Sequence, residues 1–205
     1  SSLHKTNLNI LYVVIMIRRP SRSTIFPYTE SSRFKGNTKL LYGDTVSKDN
    51  LAPEAYGSVD ELVASLGIIR ASKDLPEETK KVILQIQREL FIVGAELATS
   101  KENREKLLPG KTLVEEMMIT NLEEKIDILE EKNGIPEFFV VPGENPISAK
   151  IDWSRVVSRR AERKCVTWQN AFDIKDSKVV MYLNRLSDYL WMLARDFEKE
   201  WTPSN

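Results

Sequence analysis

Five segments of the chain repeat apolar residues at alternating steps of three and four, the spacing that keeps side chains on one face of an α-helix. The segments begin at Val59, Ile83, Ile119, Val157 and Leu183. The fourth is the least regular, and the fifth, in which leucine recurs from residue 183 to residue 193, is the most regular. The pattern predicts an all-α fold, an antiparallel bundle of five helices joined by short connections.

Residues that favour turns separate these segments. "LPEE" at 75–78 predicts the start of the second helix, and "KNGIPE" at 132–137 predicts the end of the third. "NREKLLPGK" at 103–111 separates the two. "EFFVVPGENP" at 137–146 is apolar and is then broken by Pro and Gly, which predicts an extended loop. A loop this apolar is expected to cover the bundle end, a ligand or a partner subunit.

The first helix is predicted to begin within "YGSVDELVASLG" at 56–67. Ser58 is followed three residues later by Glu61, which is the spacing of a capping box. Asp60 would then lie near the positive end of the helix dipole, where a carboxylate is stabilising. Asp60 could instead pair with an arginine of another helix.

Charge and composition narrow the classes of function. The chain has 205 residues, of which 30 are basic and 30 acidic, so one domain is expected and no overall charge attracts nucleic acid or a membrane surface. His4 and Cys165 are the only residues of their kinds. This argues against histidine-rich metal sites, histidine-activated nucleophiles and intrachain disulfides. A single cysteine suits a reducing compartment, so the predicted location is cytoplasmic.

The N-terminal part of the chain differs in composition from the rest. Residues 1–29 contain basic but no acidic residues, and the apolar run "ILYVVIMI" at 10–17 is too short to span a membrane. We interpret residues 1–26 as an extension and residues 27–205 as the helical domain. The extension is interpreted as non-native or as a strand that docks on a neighbour. The alternative is an organelle-targeting segment, which would place the protein in the mitochondrial matrix.

The segment "SRVVSRRAERK" at 154–164 holds five cations and one carboxylate. A helix turns by about 100° per residue, so one side of it carries three arginines and the carboxylate, and the opposite side is apolar. The charged side consists of Arg155, Arg159, Glu162 and Arg163, and the side predicted to be buried consists of Val157, Ala161, Cys165 and Trp168. The cations therefore face either water or a negative group outside the local sequence.

Three other segments are candidates for binding. "PGKT" at 109–112 lacks the earlier glycine of a nucleotide-binding loop, so we interpret it as a turn before the third helix. The run from Lys35 to Thr38 has the composition of a phosphate cradle, although it is also that of an ordinary turn. Asn184, Asp188 and Arg195 are predicted to be exposed polar residues beside the leucines of the fifth helix. An amide at Asn184 could also read a base edge.

Four blocks together resemble one family, the ATP:cob(I)alamin adenosyltransferases of the propanediol-utilisation type. The blocks are "EAYGSVDELVASLG" at 54–67, "IQRELFIVGAELAT" at 86–99, "SRVVSRRAER" at 154–163 and "YLNRLSDYLWMLAR" at 182–195. The resemblance implies a ferritin-like helical bundle that forms a homotrimer, with ATP and Mg²⁺ held between adjacent subunits and the corrinoid beside them. It also implies transfer of the 5′-deoxyadenosyl group of ATP to the cobalt of cob(I)alamin, which releases tripolyphosphate.

The resemblance also implies residue roles. Arg155 is expected to pair with Asp60 of a neighbouring subunit, and Arg159 to hold the polyphosphate. Glu162 is expected near the ribose or a water linked to magnesium, Asn184 at the nucleoside, and Phe139 against the lower corrin face. The residues expected to surround the phosphates are Ser32, Arg33, Lys35, Gly36, Asn37, Thr38 and Lys48. No direct side-chain ligand to a metal is expected. A cobalamin reductase or an adenosylcobalamin-dependent enzyme is the protein partner to be expected.

The phosphate segment departs from the family pattern. Ser32, Arg33 and Phe34 stand where the family usually has Thr, Gly and Asp, and Arg33 could replace contacts that are lost. "IDWSR" at 151–155 also lacks a histidine that is often found before this arginine. These departures keep an alternative open, in which a non-catalytic bundle binds corrinoid or nucleotide as a chaperone or interaction module.

Overall fold

The computed structural model describes residues 36–205. Three of the residues expected around the phosphates, Ser32, Arg33 and Lys35, lie outside the described residues. The same is true of the interpretation of residues 1–26 as an extension.

The predicted bundle of five helices is confirmed in the described part of the chain. Its α-helices are α1 (Leu51–Arg70), α2 (Glu77–Leu97), α3 (Glu116–Asn133), α4 (Pro146–Ala171) and α5 (Val179–Asp196). A 3₁₀ helix, Lys101–Lys106, lies in the connection from α2 to α3. A small antiparallel hairpin precedes α1, made of β1 (Asn37–Lys39) and β2 (Thr45–Ser47), and the sequence did not predict it.

Successive helices alternate in direction. Along α1 and α4, Glu61 pairs with Arg160 and Glu54 pairs with Lys164, so the residue numbers run in opposite senses and the two helices are antiparallel. Two further ion pairs, Glu116–Lys178 and Glu123–Arg185, join α3 to α5 with numbers that rise together. The packed helices α3 and α5 are therefore parallel. Both relations are those of a bundle in which successive helices alternate in direction, since helices three apart are then antiparallel and helices two apart are parallel.

The predicted apolar faces form one core. Buried members are Val59, Leu62, Leu66, Ile69, Ile83, Ile86, Leu90, Val93, Leu97, Ile119, Leu122, Val157, Ala161, Trp168, Leu183, Leu186, Leu190 and Leu193. Ile126, Leu129 and Phe197 are partly buried against them. Cys165 lies in the same core, and burial raises the pKa of its thiol, with the nearby carboxylates of Glu162 and Glu96 adding to the effect. A thiol kept neutral in this way is a poor nucleophile.

The predicted start of the first helix is wrong by more than one turn. Asn50 is the cap, since its side-chain oxygen accepts a hydrogen bond of 3.0 Å from the amide of Ala52. Ser58 is buried inside α1 and donates its hydroxyl to the carbonyl of Ala55 at 2.7 Å, so the predicted capping box with Glu61 does not form. The apolar pattern begins late because the first turn of α1 carries fewer large apolar residues than the later turns.

A buried carboxylate secures the connection between α2 and α3. Glu96 is fully buried and accepts hydrogen bonds from Arg104 at 3.0 Å and from the backbone amide of Val114 at 2.9 Å. The connection is thereby fastened to α2 at two points. None of the helices within residues 36–205 is long and apolar enough to cross a membrane.

Replacing the cap residue tests where α1 begins. Asn50→Ala is expected to lower the free energy of unfolding by about 1 kcal/mol, because the amide of Ala52 loses its acceptor. The measurement is denaturant unfolding followed by circular dichroism. Ser58→Ala is the control, and a change below about 0.5 kcal/mol is expected because alanine favours a helix interior. A larger loss of unfolding free energy for Ser58→Ala than for Asn50→Ala would show that Ser58, and not Asn50, caps α1.

Candidate functional site

The centre of the candidate site is a contact between α4 and α5. The side-chain amide of Asn184 donates to Glu162 at 3.1 Å, and both residues are partly buried. One turn earlier on α4, the buried hydroxyl of Ser158 donates to the carbonyl of Leu183 at 3.3 Å. The small side chain of Ser158 allows the helices to approach closely, which brings the two candidate residues together.

The amide orientation at this contact leaves one atom available. A carboxylate can only accept hydrogen bonds, so Asn184 must turn its amino group towards Glu162. The side-chain oxygen of Asn184, Oδ1, makes no hydrogen bond to any part of the chain that the structure describes. This oxygen can accept from an amino or hydroxyl group of a ligand.

The four cations between residues 159 and 164 of α4 divide into two sets. Arg160 and Lys164 pair with Glu61 and Glu54 of α1. The side chains of Arg159 and Arg163 are exposed and have no hydrogen-bond or ion-pair partner within residues 36–205. Two unpaired guanidinium groups one turn apart, beside the Asn184–Glu162 contact, form a surface suited to an anion.

Arg155 is bound within its own chain on one edge only. Its Nε donates to Asp152 at 2.8 Å, and its side chain is 23% exposed. Asp152 also pairs with Arg195. The prediction that Arg195 is exposed is wrong, because its side chain is almost fully buried between the carboxylates of Asp152 and Glu198.

Asp60 lies on a different face of the bundle. It is exposed, lines a narrow cleft between α1 and α2, and makes no ion pair with any residue from 36 to 205. Tyr56 lines the same cleft; burial raises its pKa, and a hydrogen bond with Thr38 acts in the opposite direction. Asp60 and Arg155 therefore do not meet within one chain. The expected pairing with a neighbouring subunit stays a prediction.

Four of the residues expected around the phosphates lie on the hairpin before α1. Gly36, with φ of 76°, accepts from the backbone amide of Lys48 at 2.7 Å, and Asn37 and Thr38 follow on β1. The turn of the hairpin is fixed to the end of α2, since the amide of Leu41 donates to the carbonyl of Ala98 at 2.8 Å. The structure thus brings these four residues together near the start of α1.

Phe139 is 86% exposed, on the loop between α3 and α4. The prediction of an extended loop is confirmed, and the structure adds a partner that the sequence did not indicate. The amide of Ser204 donates to the carbonyl of Phe139 at 2.9 Å, and the amide of Val141 donates to the carbonyl of Thr202 at 2.8 Å. The C-terminal segment therefore pairs with the loop as a short antiparallel bridge centred on Val140 and Pro203.

Comparison with known proteins identifies relatives along most of the chain. The family model described as "Cobalamin adenosyltransferase" matches residues 31–197. A corrinoid adenosyltransferase of Citrobacter freundii is 36% identical over 160 residues, which cover 78% of this chain and 88% of that protein. Corrinoid adenosyltransferase MMAB of Bos taurus is 33% identical over 187 residues, which cover 86% of this chain and 75% of that protein.

Solved structures of similar fold carry ligands. A variant of a PduO-type ATP:corrinoid adenosyltransferase from Lactobacillus reuteri, complexed with cobalamin and ATP, superposes with a TM-score of 0.72 at 28% identity. The match covers 82% of this chain and 91% of that one. A second variant, complexed with ATP, has a TM-score of 0.70 at 29% identity and covers 83% and 93% of the two chains.

The bridge between the loop and the C-terminal segment can be tested by removing one donor. Ser204→Pro lacks the amide that donates to Phe139, so the bridge should loosen and the amide of Val141 should exchange with solvent at least severalfold faster. Hydrogen exchange measured by mass spectrometry or NMR gives the rate. Ser204→Ala keeps the amide and should exchange at the rate of the unmodified chain. Equal rates in both variants would show that the bridge does not restrain the loop.

Proposed function

The chain belongs to the cobalamin adenosyltransferase family, and we propose that it transfers the 5′-deoxyadenosyl group of ATP to the cobalt of cob(I)alamin. The observation that carries this proposal is the pair of unpaired arginines, Arg159 and Arg163, beside the Asn184–Glu162 contact. This arrangement offers positive charge for a polyphosphate next to polar groups for a nucleoside.

The reaction needs no nucleophile from the protein. The cobalt of the reduced substrate supplies the electron pair, a cobalt–carbon bond forms at C5′, and the bond from C5′ to the triphosphate oxygen breaks. Tripolyphosphate leaves with that electron pair. The protein must align the two substrates and stabilise the charge of the leaving group. This requirement is consistent with a chain whose single cysteine, Cys165, is buried and neutral.

The proposed roles of α4 and α5 follow from the available atoms. Arg159 contacts the polyphosphate, with Arg163 one turn away as a second cation. The side-chain oxygen of Asn184 accepts a hydrogen bond from the nucleoside, while the side-chain amino group of Asn184 donates to Glu162. The second carboxylate oxygen of Glu162 remains for the ribose or for a water linked to magnesium.

Magnesium fits this donor set as an ion that arrives with ATP. Within residues 36–205 no group of three or more His, Cys, Asp and Glu side chains could hold a metal ion. Mg²⁺ usually binds through substrate phosphates, waters and one or two carboxylates. Glu162 is the carboxylate that would hold such a water, and the ion would neutralise part of the phosphate charge.

Two further segments complete the proposed site. Gly36, Asn37, Thr38 and Lys48 on the hairpin, together with Ser32, Arg33 and Lys35, surround the phosphates. Phe139 presses on the lower face of the corrin and displaces the axial base, which leaves a four-coordinate cobalt that is easier to reduce. The support for this role is its exposure of 86% on a loop anchored by backbone hydrogen bonds.

The complete site is proposed to form between subunits of a homotrimer. Arg155 binds Asp152 through Nε alone, and Asp60 is exposed on another face, so each has groups available for a neighbouring chain. An ion pair between Arg155 and Asp60 across the interface would bring the two faces together.

We place the activity in the cytoplasm, with the mitochondrial matrix as the alternative if residues 1–26 direct import. A cobalamin reductase or an adenosylcobalamin-dependent enzyme is the proposed protein partner, because cob(I)alamin must be supplied by reduction and the product is itself a cofactor.

Anaerobic absorbance spectroscopy tests the function directly. Reduced cobalamin mixed with the chain, ATP and Mg²⁺ should lose the cob(I)alamin spectrum and gain that of a cobalt–carbon product. Arg159→Ala should lose about 2–4 kcal/mol of transition-state stabilisation, which is roughly 30-fold to 1000-fold in rate, because the leaving group loses its cation.

Lys164→Ala is the matched control on the same helix. It also removes an exposed cation, but one already paired with Glu54, so turnover should change little. Unchanged turnover in Arg159→Ala would remove its proposed role. Ligand binding without formation of a cobalt–carbon bond would favour the alternative, a non-catalytic binding module, which the altered residues Ser32, Arg33 and Phe34 motivate.

The proposed assembly is tested by mass in solution. Sedimentation of the chain with ATP and Mg²⁺ should give three times its mass of 23.6 kDa. The trimer of Asp60→Asn should dissociate at a higher protein concentration than that of the unmodified chain, because Arg155 of the neighbouring subunit loses the carboxylate with which it pairs. Asp127→Asn, on the exposed side of α3, is the control and should sediment as the unmodified chain. A monomer at every concentration would contradict an intersubunit site.

A further inference from the structure

Four charged side chains form a continuous network where the end of α5 meets the beginning of α4. Arg195 donates to Glu198 through Nε at 2.6 Å and through Nη2 at 2.9 Å, and Nη2 also bonds Oδ2 of Asp152. The other oxygen of Asp152, Oδ1, accepts from Nε of Arg155 at 2.8 Å. Two cations and two carboxylates thus alternate, so the network is neutral.

Burial decreases from one side of the network to the other. The side chains of Arg195 and Glu198 are each 1% exposed, that of Asp152 is 4% exposed, and that of Arg155 is 23% exposed. The inner members are therefore held in place by the core, and Arg155 lies at the solvent edge. A buried ion pair of this kind is costly to form unless every member is bonded, which is the case here.

The side chain of Arg155, the outer arginine of the network, is held by the described part of the chain through one nitrogen only. Its Nε is engaged by Asp152, while its terminal amino groups make no hydrogen bond to any of residues 36–205. A guanidinium group has five donors in one plane, so fixing Nε sets the plane and the direction of the other four. The terminal amino groups are then oriented for a second acceptor before that acceptor binds.

We propose that Asp152 is a positioning residue that orients Arg155 for its contact across the subunit interface. This inference rests on the proposed function, because the contact of Arg155 across the subunit interface is part of that proposal. Asp152 acts because its two oxygens join the buried Arg195 to the exposed Arg155. If Asp152 lost its charge, the side chain of Arg155 would be free to rotate. The contact with the neighbouring subunit would then have to fix the orientation of Arg155.

Glu198 provides a matched control within the network. It has the same partner, Arg195, and it is as deeply buried, but it has no bond to Arg155. If the network only stabilises the fold, removing either carboxylate charge should have the same consequences. If Asp152 positions Arg155, only the Asp152 variant should change catalysis beyond its effect on stability.

The experiment compares Asp152→Asn and Glu198→Gln, each in the unmodified chain and together with Arg155→Ala. The measurements are Tm, kcat and KM for ATP, and the subunit dissociation constant from sedimentation. Both single variants should lower Tm. Asp152→Asn should also lower kcat/KM for ATP at least tenfold and weaken subunit association, whereas Glu198→Gln should change kcat/KM less than threefold.

The decisive comparison is made between variants that also lack the Arg155 side chain. With Arg155→Ala present, Asp152→Asn should lower kcat/KM by less than threefold while its effect on Tm persists. A tenfold loss in both backgrounds, or an equal loss in Glu198→Gln, would overturn the proposal. If Asp152→Asn does not fold, Asp152→Glu replaces it: this variant keeps the charge but displaces the carboxylate, and its severalfold loss should again require Arg155.

The outcomes separate this inference from the proposed function. An unmodified chain that forms no cobalt–carbon product refutes the function, and the dissociation constants then test Asp152 alone. In that case Asp152→Asn should weaken association as much as Arg155→Ala, and Glu198→Gln should not. An active unmodified chain in which Asp152→Asn behaves like Glu198→Gln refutes only the role of Asp152.

Discussion

The rotation of α4 about its own axis is the constraint on which the candidate site depends. Val157, Ala161, Cys165 and Trp168 are all buried, and burying this apolar face fixes the direction of every other side chain on the helix. One flank then meets the carboxylates of α1, and the other meets α5. The remaining surface carries Arg159 and Arg163, whose guanidinium groups pair with no residue from 36 to 205 and are therefore available to a ligand.

The basic side chains from Arg155 to Lys164, with Arg195, form two groups, those that are paired within the chain and those that leave donors available. Arg160 and Lys164 fasten α4 to α1, and Arg195 is enclosed by two carboxylates at the end of α5. Arg155 belongs to both groups, because one edge of its guanidinium is bound and the other is not. A chain without net charge can in this way present a local cationic surface that suits a polyphosphate.

The sequence predicted the elements whose signal is local and repeated. Alternating steps of three and four gave the five helices and their buried faces, and the angular positions on one helix brought Arg159 and Glu162 to the same side. It did not predict Asp152 as a partner of Arg195, because the two are 43 residues apart and either could have faced water. Asn50 was missed as a cap because Ser58 and Glu61 imitate a capping box. The hairpin was missed because strands of three residues are too short to show alternation.

The parallel contact of α3 with α5 has a consequence for how the molecule opens. Only Met118, Ile119 and Leu122 of α3 are buried. Two of the ion pairs that join it to α5, Glu116–Lys178 and Glu123–Arg185, are solvent-exposed, and the third, Lys132–Asp196, has an exposed lysine. Exposed ion pairs contribute little, so α3 is the helix of the bundle that should detach with the least free energy. Detachment would uncover one side of α5 but leave the contacts of α4 with α1 and α5 in place. Thermal fluctuations in α3 are therefore expected to be tolerated without loss of the surface that carries Arg159 and Arg163.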